Sequence, residues 1–458
     1  MSQAGSGAGL VRALGPFDAT MIVMGSIIGA GVFQAPSRIA LEVPSLAGIV
    51  FLWVLGGVIA LCGALVFAEL GGMLPRAGGE YVFLREGFGR FVAFLFGWIL
   101  ITAIVSPAIA YVAGVFVDHL QALLRLALPA LSFEAGLRPW IATLLILGLT
   151  GLNMRGVKLG ARVQNASMLA KIAGMLLIVA LGAAVAMGRE PRAAPVAAAP
   201  GAELSPAGFG AALLGGVFAY GGWQNVAAVA GEIRRPERAL PLAILVGTAL
   251  VVALYVALNA SLIAILGVGG VAASPTPVAS AAGAVMAGGE QVVAALVMLS
   301  TFAITQVLLM VAPRIYYAMA RDGVFFASAG WVHPRWRTPA VAIALQGLFS
   351  VAYVWRRAAF DAEALDSLLD ATVIADWTFF ALCGVALFVL RRRLPDAPRP
   401  YRAFGYPWLP GLFVLCSVGI VVNSIFNADR SAALGYVVLL GAGVLLYALW
   451  SRGAQRAS

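Results

Sequence analysis

The sequence predicts an all-α integral membrane protein of about twelve transmembrane helices. Three observations carry that prediction. Of the 458 residues, 62% are hydrophobic and only 11% are charged. The mean hydropathy is +0.96. The apolar residues gather into runs of roughly 17–30, long enough to cross a hydrocarbon core about 30 Å thick. A soluble domain is roughly 45–50% apolar and about 25% charged. A water-soluble multidomain enzyme is therefore excluded, and so is a disordered or fibrous chain.

The runs follow in order at 17–41, 47–74, 88–117, 140–153, 161–187 and 209–230, then 239–266, 291–320, 339–354, 368–390, 409–426 and 433–450. The fourth and ninth are the shortest. No basic stretch or cleavage site precedes the first run, so it is expected to be a retained span and not a signal peptide. The net charge is +10, and the arginines behind it sit in short clusters between runs, as topology signals do, not on a nucleic-acid face. With the N-terminus inside, the inner segments hold twenty Arg and Lys against eight outside. Both termini are then cytoplasmic. Cys62, Cys383 and Cys416 lie within apolar runs and read as small buried hydrophobes, with neither disulfide nor metal-ligand spacing.

An Ala/Pro-rich segment at 189–206 reads as an external linker between two halves. The first half covers 14–187 and the second 205–393, each with five spans; 405–451 adds spans eleven and twelve. Five is odd, so the halves have opposite topology. The first span of each is interrupted by glycine: Gly25, Gly29 and Gly31 in span one, Gly215, Gly216, Gly221 and Gly222 in span six. Small residues also mark helix packing, but interruptions at matching places in inverted halves point to a transporter's binding site.

Unwound backbone at membrane depth needs a cavity or ligand to satisfy it. In span one the first half-helix ends on carbonyls and the second begins on amides, the positive end of its dipole. A carboxylate suits the N–H groups of Ala30 and Gly31. An ammonium group suits the Ile27 carbonyl, and the carbonyls of Phe218 and Gly221 offer the same in span six. Together these groups describe a receptor for an amino-acid zwitterion.

At these residues the chain resembles a known family. The stretch from Gly25 through Ser26, Ile27, Ile28, Gly29, Ala30 and Gly31 to Phe33 is similar to the first-helix signature of the amino acid–polyamine–organocation superfamily. Glu69-Leu70 with Pro75-Arg76-Ala77-Gly78-Gly79-Glu80-Tyr81 resembles its second-to-third-helix motif. Phe218 to Trp223, with Glu232 and 236–241, resembles span six and its inner loop in the L-type amino acid transporter branch. Arg314, Arg321-Asp322-Gly323 and Thr338-Pro339 resemble the end of span eight and the following loop. The resemblance implies a leucine-transporter-type fold, with a 5+5 inverted repeat, broken helices one and six, and two further helices. It also implies sodium-independent alternating-access transport of amino acids at the plasma (inner) membrane, without a cofactor. The substrate site it implies comprises Ser26, Ile27, Gly29, Ala30, Gly31, Phe218, Gly221, Gln224, Asn225 and Asp376, with Phe218 as a gate.

The chain departs from that pattern at three places. Ala30 stands where many relatives have serine. Gln224-Asn225 replaces Asn and an aromatic residue, and Asp376-Trp377 replaces Asn-Trp, bringing a charge toward the site. The reading favours small or polar neutral amino acids; a cationic substrate paired with Asp376, or proton coupling, is the alternative.

Lys171 lies inside span five, where a lysine costs about 2.5–3.5 kcal/mol and is a functional candidate by default; the alternative is snorkelling to the interface. The resemblance matches it to a lysine that substitutes for a sodium ion and braces helix one, here through carbonyls near Gly25 and Ser26. Glu69 is expected to hold the inner loops, and Arg314 to belong to the inner gate or the cytoplasmic end of span eight. His119 and His333 are read as loop residues. A membrane enzyme would need paired carboxylates, a nucleophile with its base, or a metal cluster within the spans, and a channel a filter repeat or ring of charges; neither pattern is present. Some relatives work with an accessory glycoprotein. The loop after span three has no cysteine for a covalent tether, so an accessory subunit is not expected.

Overall fold

Within a bilayer every backbone N–H and C=O must be satisfied inside the protein, so apolar runs become helices. The computed structural model describes residues 9–29, 31–134, 136–188, 205–359, 363–427 and 430–456. Among these it is helical throughout, apart from loops and one isolated parallel bridge between Leu14 and Ile233.

A helix stands at each of the expected segments. Among the described residues, eight are long and apolar enough to cross a membrane, or nine if the bent pair in span one is counted. Span nine, Ala340–Ala359, is not among them. Spans six and twelve qualify only as shorter apolar helices, Gly208–Ala219 and Gly435–Trp450. Span six is short because it breaks in mid-course.

Span one starts at Pro16, whose fixed φ suits a first helical turn. The Asp18 carboxylate accepts the Gly15 N–H at 2.8 Å. The helix runs Pro16–Ile27, stops, and resumes at Gly31–Glu42 after a 43° bend. Span two, Leu46–Met73, is capped by the Ser45 hydroxyl, which accepts the Gly48 N–H.

Gly78 and Gly79 then turn the chain with φ of +113° and +46°. A β-carbon on Gly79 would lie 2.7 Å from the Ala228 nitrogen, so the motif around these glycines is a close approach to the end of span six. The helix Glu80–Phe88 follows and leads into span three, which runs to Ala127. That places His119 in a helix and not in a loop, its ring Nδ1 2.9 Å from the Val115 carbonyl.

Several features were not anticipated. Span three contains a π-helical turn, Leu100–Ile104. Such a turn misaligns carbonyls, and those of Thr102 and Ala103 accept hydroxyls from Tyr353 and Thr372. Span seven, Pro236–Ala273, is interrupted at Gly267 (φ +74°), and an extra helix, Pro277–Val285, precedes span eight. Span eight comprises Gly289–Val311 and Pro313–Arg321.

Polarity is arranged for lipid. Leu144, Leu415 and Phe426 point outward, whereas Gln306, Asn153 and Arg314 are buried and paired with one another or with backbone and carboxylate groups. Glu69, fully buried on span two, accepts Arg391 Nε at 2.8 Å, Arg391 Nη2 at 2.6 Å and the Ala403 N–H at 2.6 Å. Breaking a fully buried pair costs about 3–5 kcal/mol. Arg391 keeps 21% exposure, which lowers the expectation for Glu69→Ala to about 2–3 kcal/mol. Thermal melts in detergent check this: an unchanged midpoint would show that the pair holds nothing together.

Candidate functional site

The two broken spans meet at their breaks, and glycine makes the meeting possible. Gly222 has φ +120°, and a β-carbon there would sit 2.3 Å from the Ser26 carbonyl oxygen and 3.0 Å from the Ile27 nitrogen. The unwound backbone of span six therefore lies directly on that of span one. Gly31 faces Ala219 at 3.9 Å, and Gly29 faces Ile304 of span eight at 3.0 Å, by the same measure.

The carbonyls that end the first half of span one are held from several sides. The Ile27 carbonyl accepts the Gly29 N–H at 2.8 Å and the Tyr255 hydroxyl of span seven at 3.1 Å. Both of its lone pairs are thus engaged. The Ile28 carbonyl accepts Lys171 Nζ at 2.7 Å and the Ser300 hydroxyl at 3.1 Å. Lys171 is 1% exposed. Its ammonium reaches the unwound segment itself, not the carbonyls near Gly25 and Ser26, because it lies level with the break and not with the helical turn before it. The Ser26 hydroxyl is buried without a partner among the described residues.

On the other side of the break, the helix beginning at Gly31 presents amides with no carbonyl earlier in the helix to accept them. Ala30, assigned to the same role, lies outside the described residues.

In span six, Tyr220 and Trp223 are buried, while Phe218 just before them is 58% exposed. The Tyr220 hydroxyl donates to the Trp53 carbonyl at 3.0 Å, and the Trp53 ring packs edge-on against both Tyr220 and Tyr255. The Phe218 carbonyl accepts the Gly221 N–H. The Gly221 carbonyl accepts no hydrogen bond among the described residues. Gln224 folds back, its Oε1 accepting the Gly222 N–H at 3.1 Å, so its side chain shapes the turn. Asn225 is half-buried at the start of the 3₁₀ turn Asn225–Glu232.

Asp376 lies on span ten. Span ten packs chiefly on spans two, three, eleven and twelve and on the helix Glu80–Phe88. Glu80 and Tyr436 are electrostatic neighbours of Asp376. Burial pushes the Glu80 carboxyl well above the usual carboxylate range, and Asp376 adds to that shift.

Sequence reasoning passed over Tyr255, Ser300 and Trp53. A hydroxyl inside an apolar span was the available signal for the first two; nothing in the sequence paired them with Ile27 and Ile28. The arrangement offers fixed backbone donors and acceptors around a glycine-lined contact, braced by an ammonium and two hydroxyls. Such backbone groups can hydrogen-bond a small charged-and-polar molecule.

Comparison with known proteins agrees with that geometry. The amino acid permease family profile matches residues 14–448. The serine/threonine exchanger SteT of Bacillus subtilis (strain 168) is 29% identical over 451 residues, covering 98% of this chain and 99% of SteT. The b(0,+)-type amino acid transporter 1 of Homo sapiens is 28% identical over 448 residues, covering 96% of this chain and 88% of that protein. The large neutral amino acids transporter small subunit 2 of Rattus norvegicus is 28% identical over 458 residues, covering 98% and 82%. With the family profile spanning nearly the whole chain and a broken-helix site at its centre, this protein belongs to the amino acid permease family of the amino acid–polyamine–organocation superfamily: it is a multi-pass membrane transporter of amino acids, not an enzyme.

Proposed function

We propose that this transporter exchanges small neutral L-amino acids across the plasma membrane without sodium, and that it does so without an accessory subunit. The observation that carries the reading is the paired break. Amide donors at the start of the second half of span one face a carboxylate, and the unoccupied Gly221 carbonyl in span six takes the ammonium. The Ile27 carbonyl, already doubly engaged, contributes shape to the site. Phe218 closes over the substrate, and Asn225 leaves room for a small polar side chain. Asp376, with Glu80 and Tyr436 as its electrostatic neighbours, is the residue on which the alternative, a cationic substrate, turns. The serine/threonine exchanger's name supports the same substrate class.

Sodium independence follows in this reading from Lys171, whose Nζ braces the Ile28 carbonyl beside the break. The inverted halves 14–187 and 205–393 supply the moving and the static parts, and both termini face the cytoplasm, as the arginine distribution supports. One relative is named a small subunit. This chain has cysteine only at 62, 383 and 416, none in the loop after span three, which supports a free-standing protein.

The test uses purified protein in liposomes, empty or preloaded with L-serine. Radiolabelled L-serine is expected to enter only preloaded vesicles. Serine amide and the des-amino acid should compete at least about tenfold more weakly, the equivalent of one lost ion contact at about 1.5–3 kcal/mol. Equal entry into empty vesicles would refute exchange, and equal competition would refute zwitterion recognition.

A further inference from the structure

Span six ends at Glu232 in a joint that neither the substrate site nor the lysine brace uses. The Glu232 carbonyl accepts the Ala13 N–H at 2.8 Å and the Leu14 N–H at 2.9 Å. Arg234 returns its own N–H to the Leu14 carbonyl at 2.9 Å and its guanidinium to the Ala13 carbonyl at 3.2 Å. The short strap before span one is therefore bridged to the chain leaving span six. The Glu232 side chain faces the other way. Its Oε2 accepts Arg314 Nε at 2.7 Å and its Oε1 accepts Arg314 Nη2 at 3.0 Å, with both side chains 0% exposed. Arg314 also donates to the Met310 carbonyl within span eight. One residue thus ties together the strap, span six and span eight.

The strap leads directly into the first half of span one, which is sealed against its neighbours. Asn165 of span five donates to the Asp18 carboxylate at 2.7 Å. Ile22, Val23 and, on span five, Met168 are buried. Just before the strap, Val11 and Arg12 are exposed.

We propose that Glu232 is a positioning residue of the transport cycle, whose carbonyl latches the 13–14 strap, and with it the first half of span one, over the inner mouth of the substrate pathway. The proposal rests on the reading of the chain as a transporter with cytoplasmic termini. Magnitudes decide where the joint opens. Separating Glu232 from Arg314 would leave two unpaired charges in a dry site, which is strongly unfavourable. The strap's bonds are ordinary amide hydrogen bonds, each of modest net worth, and their donors lie within two residues of the exposed Arg12. The strap therefore releases while the ion pair stays closed. Arg314 anchors the latch to span eight, and the half-helix swings away from spans five and eight to expose the site.

The test is thiol labelling, which needs no substrate. In protein with Cys62, Cys383 and Cys416 changed to alanine, Met168→Cys places a reporter on span five. In the parent, Met168 Sδ lies 3.7 Å from where a β-carbon on Gly25 would sit, so the reporter is covered while span one is closed. A membrane-impermeant maleimide is applied to either face of proteoliposomes of known orientation. Ala13→Pro and Leu14→Pro each delete one donor to Glu232 and are expected to speed labelling from the cytoplasmic face about two- to tenfold, the worth of one hydrogen bond. Ala13→Gly, which keeps its N–H, should leave the rate unchanged. Either proline variant suffices if the other does not fold, monodispersity on size exclusion being the criterion. Parental labelling rates in a folded proline variant would overturn the latch, and so would acceleration from the outer face alone. Faster cytoplasmic labelling in a protein that moves no serine would support the latch and refute the substrate reading.

Discussion

Gly222→Ala is expected to abolish amino-acid uptake while leaving the protein in the membrane. The glycine has φ +120°, and a β-carbon would lie 2.3 Å from the Ser26 oxygen and 2.6 Å from the Ser26 carbon. Those atoms are backbone and cannot rotate aside. A residue forced into such a conformation costs about 1–3 kcal/mol, and overpacking costs about another 1–3 kcal/mol. If that energy falls on the state in which the two breaks touch, uptake drops by about a hundredfold or more. Gly216→Ala is the control, because its β-carbon would meet Ile39 at 3.8 Å and the Leu52 carbonyl at 3.9 Å, ordinary contact distances. Radiolabelled serine uptake into preloaded liposomes, with expression and size-exclusion profiles alongside, reads the result. Wild-type transport by Gly222→Ala would show that the working cycle does not need this contact.

Lys171→Ala is expected to reduce uptake by about ten- to a hundredfold, the equivalent of about 1–3 kcal/mol for a lost buried hydrogen bond. The ammonium donates to the Ile28 carbonyl at 2.7 Å from a site that is 1% exposed. Alanine leaves that carbonyl with the Ser300 hydroxyl alone, and a void where the lysine stem lay. The unwound segment then loses the brace that holds it in one shape, and the substrate-binding conformation becomes a smaller share of the population. Replacing external sodium by choline should leave wild-type uptake unchanged, because the lysine side chain and not a bound cation braces the Ile28 carbonyl. Sodium-stimulated uptake, or a fully active alanine variant, would reduce Lys171 to a packing residue.

The membrane class, the order of the spans and the two interrupted helices were legible in the sequence for one physical reason. Lipid offers no hydrogen bonds, so apolar runs must satisfy their backbone locally as helices. Glycine clusters such as Gly25–Gly31 and Gly221-Gly222 mark where that local rule lapses. Lys171 was legible too, since a charge at membrane depth is costly enough to demand a purpose.

The partners of these residues were decided only by the tertiary structure. Lys171 meets Ile28 rather than Gly25 or Ser26, because the relative height of spans five and one is set by how their side chains pack. Tyr255 and Ser300 reach the break from spans seven and eight, 228 and 272 residues distant in sequence from the carbonyls they bond. The π-helical turn of span three is stabilised by hydroxyls of Tyr353 and Thr372, which no periodicity in span three announces. Asp376 was legible as an acidic residue within a span, and only the structure brings it beside Glu80 and Tyr436. Composition and local pattern thus determined which segments are helices and where they break. Which side chain braces which carbonyl depends on shape complementarity between helices, and in lipid that packing lacks the hydrophobic gradient that gives a soluble core its readable period.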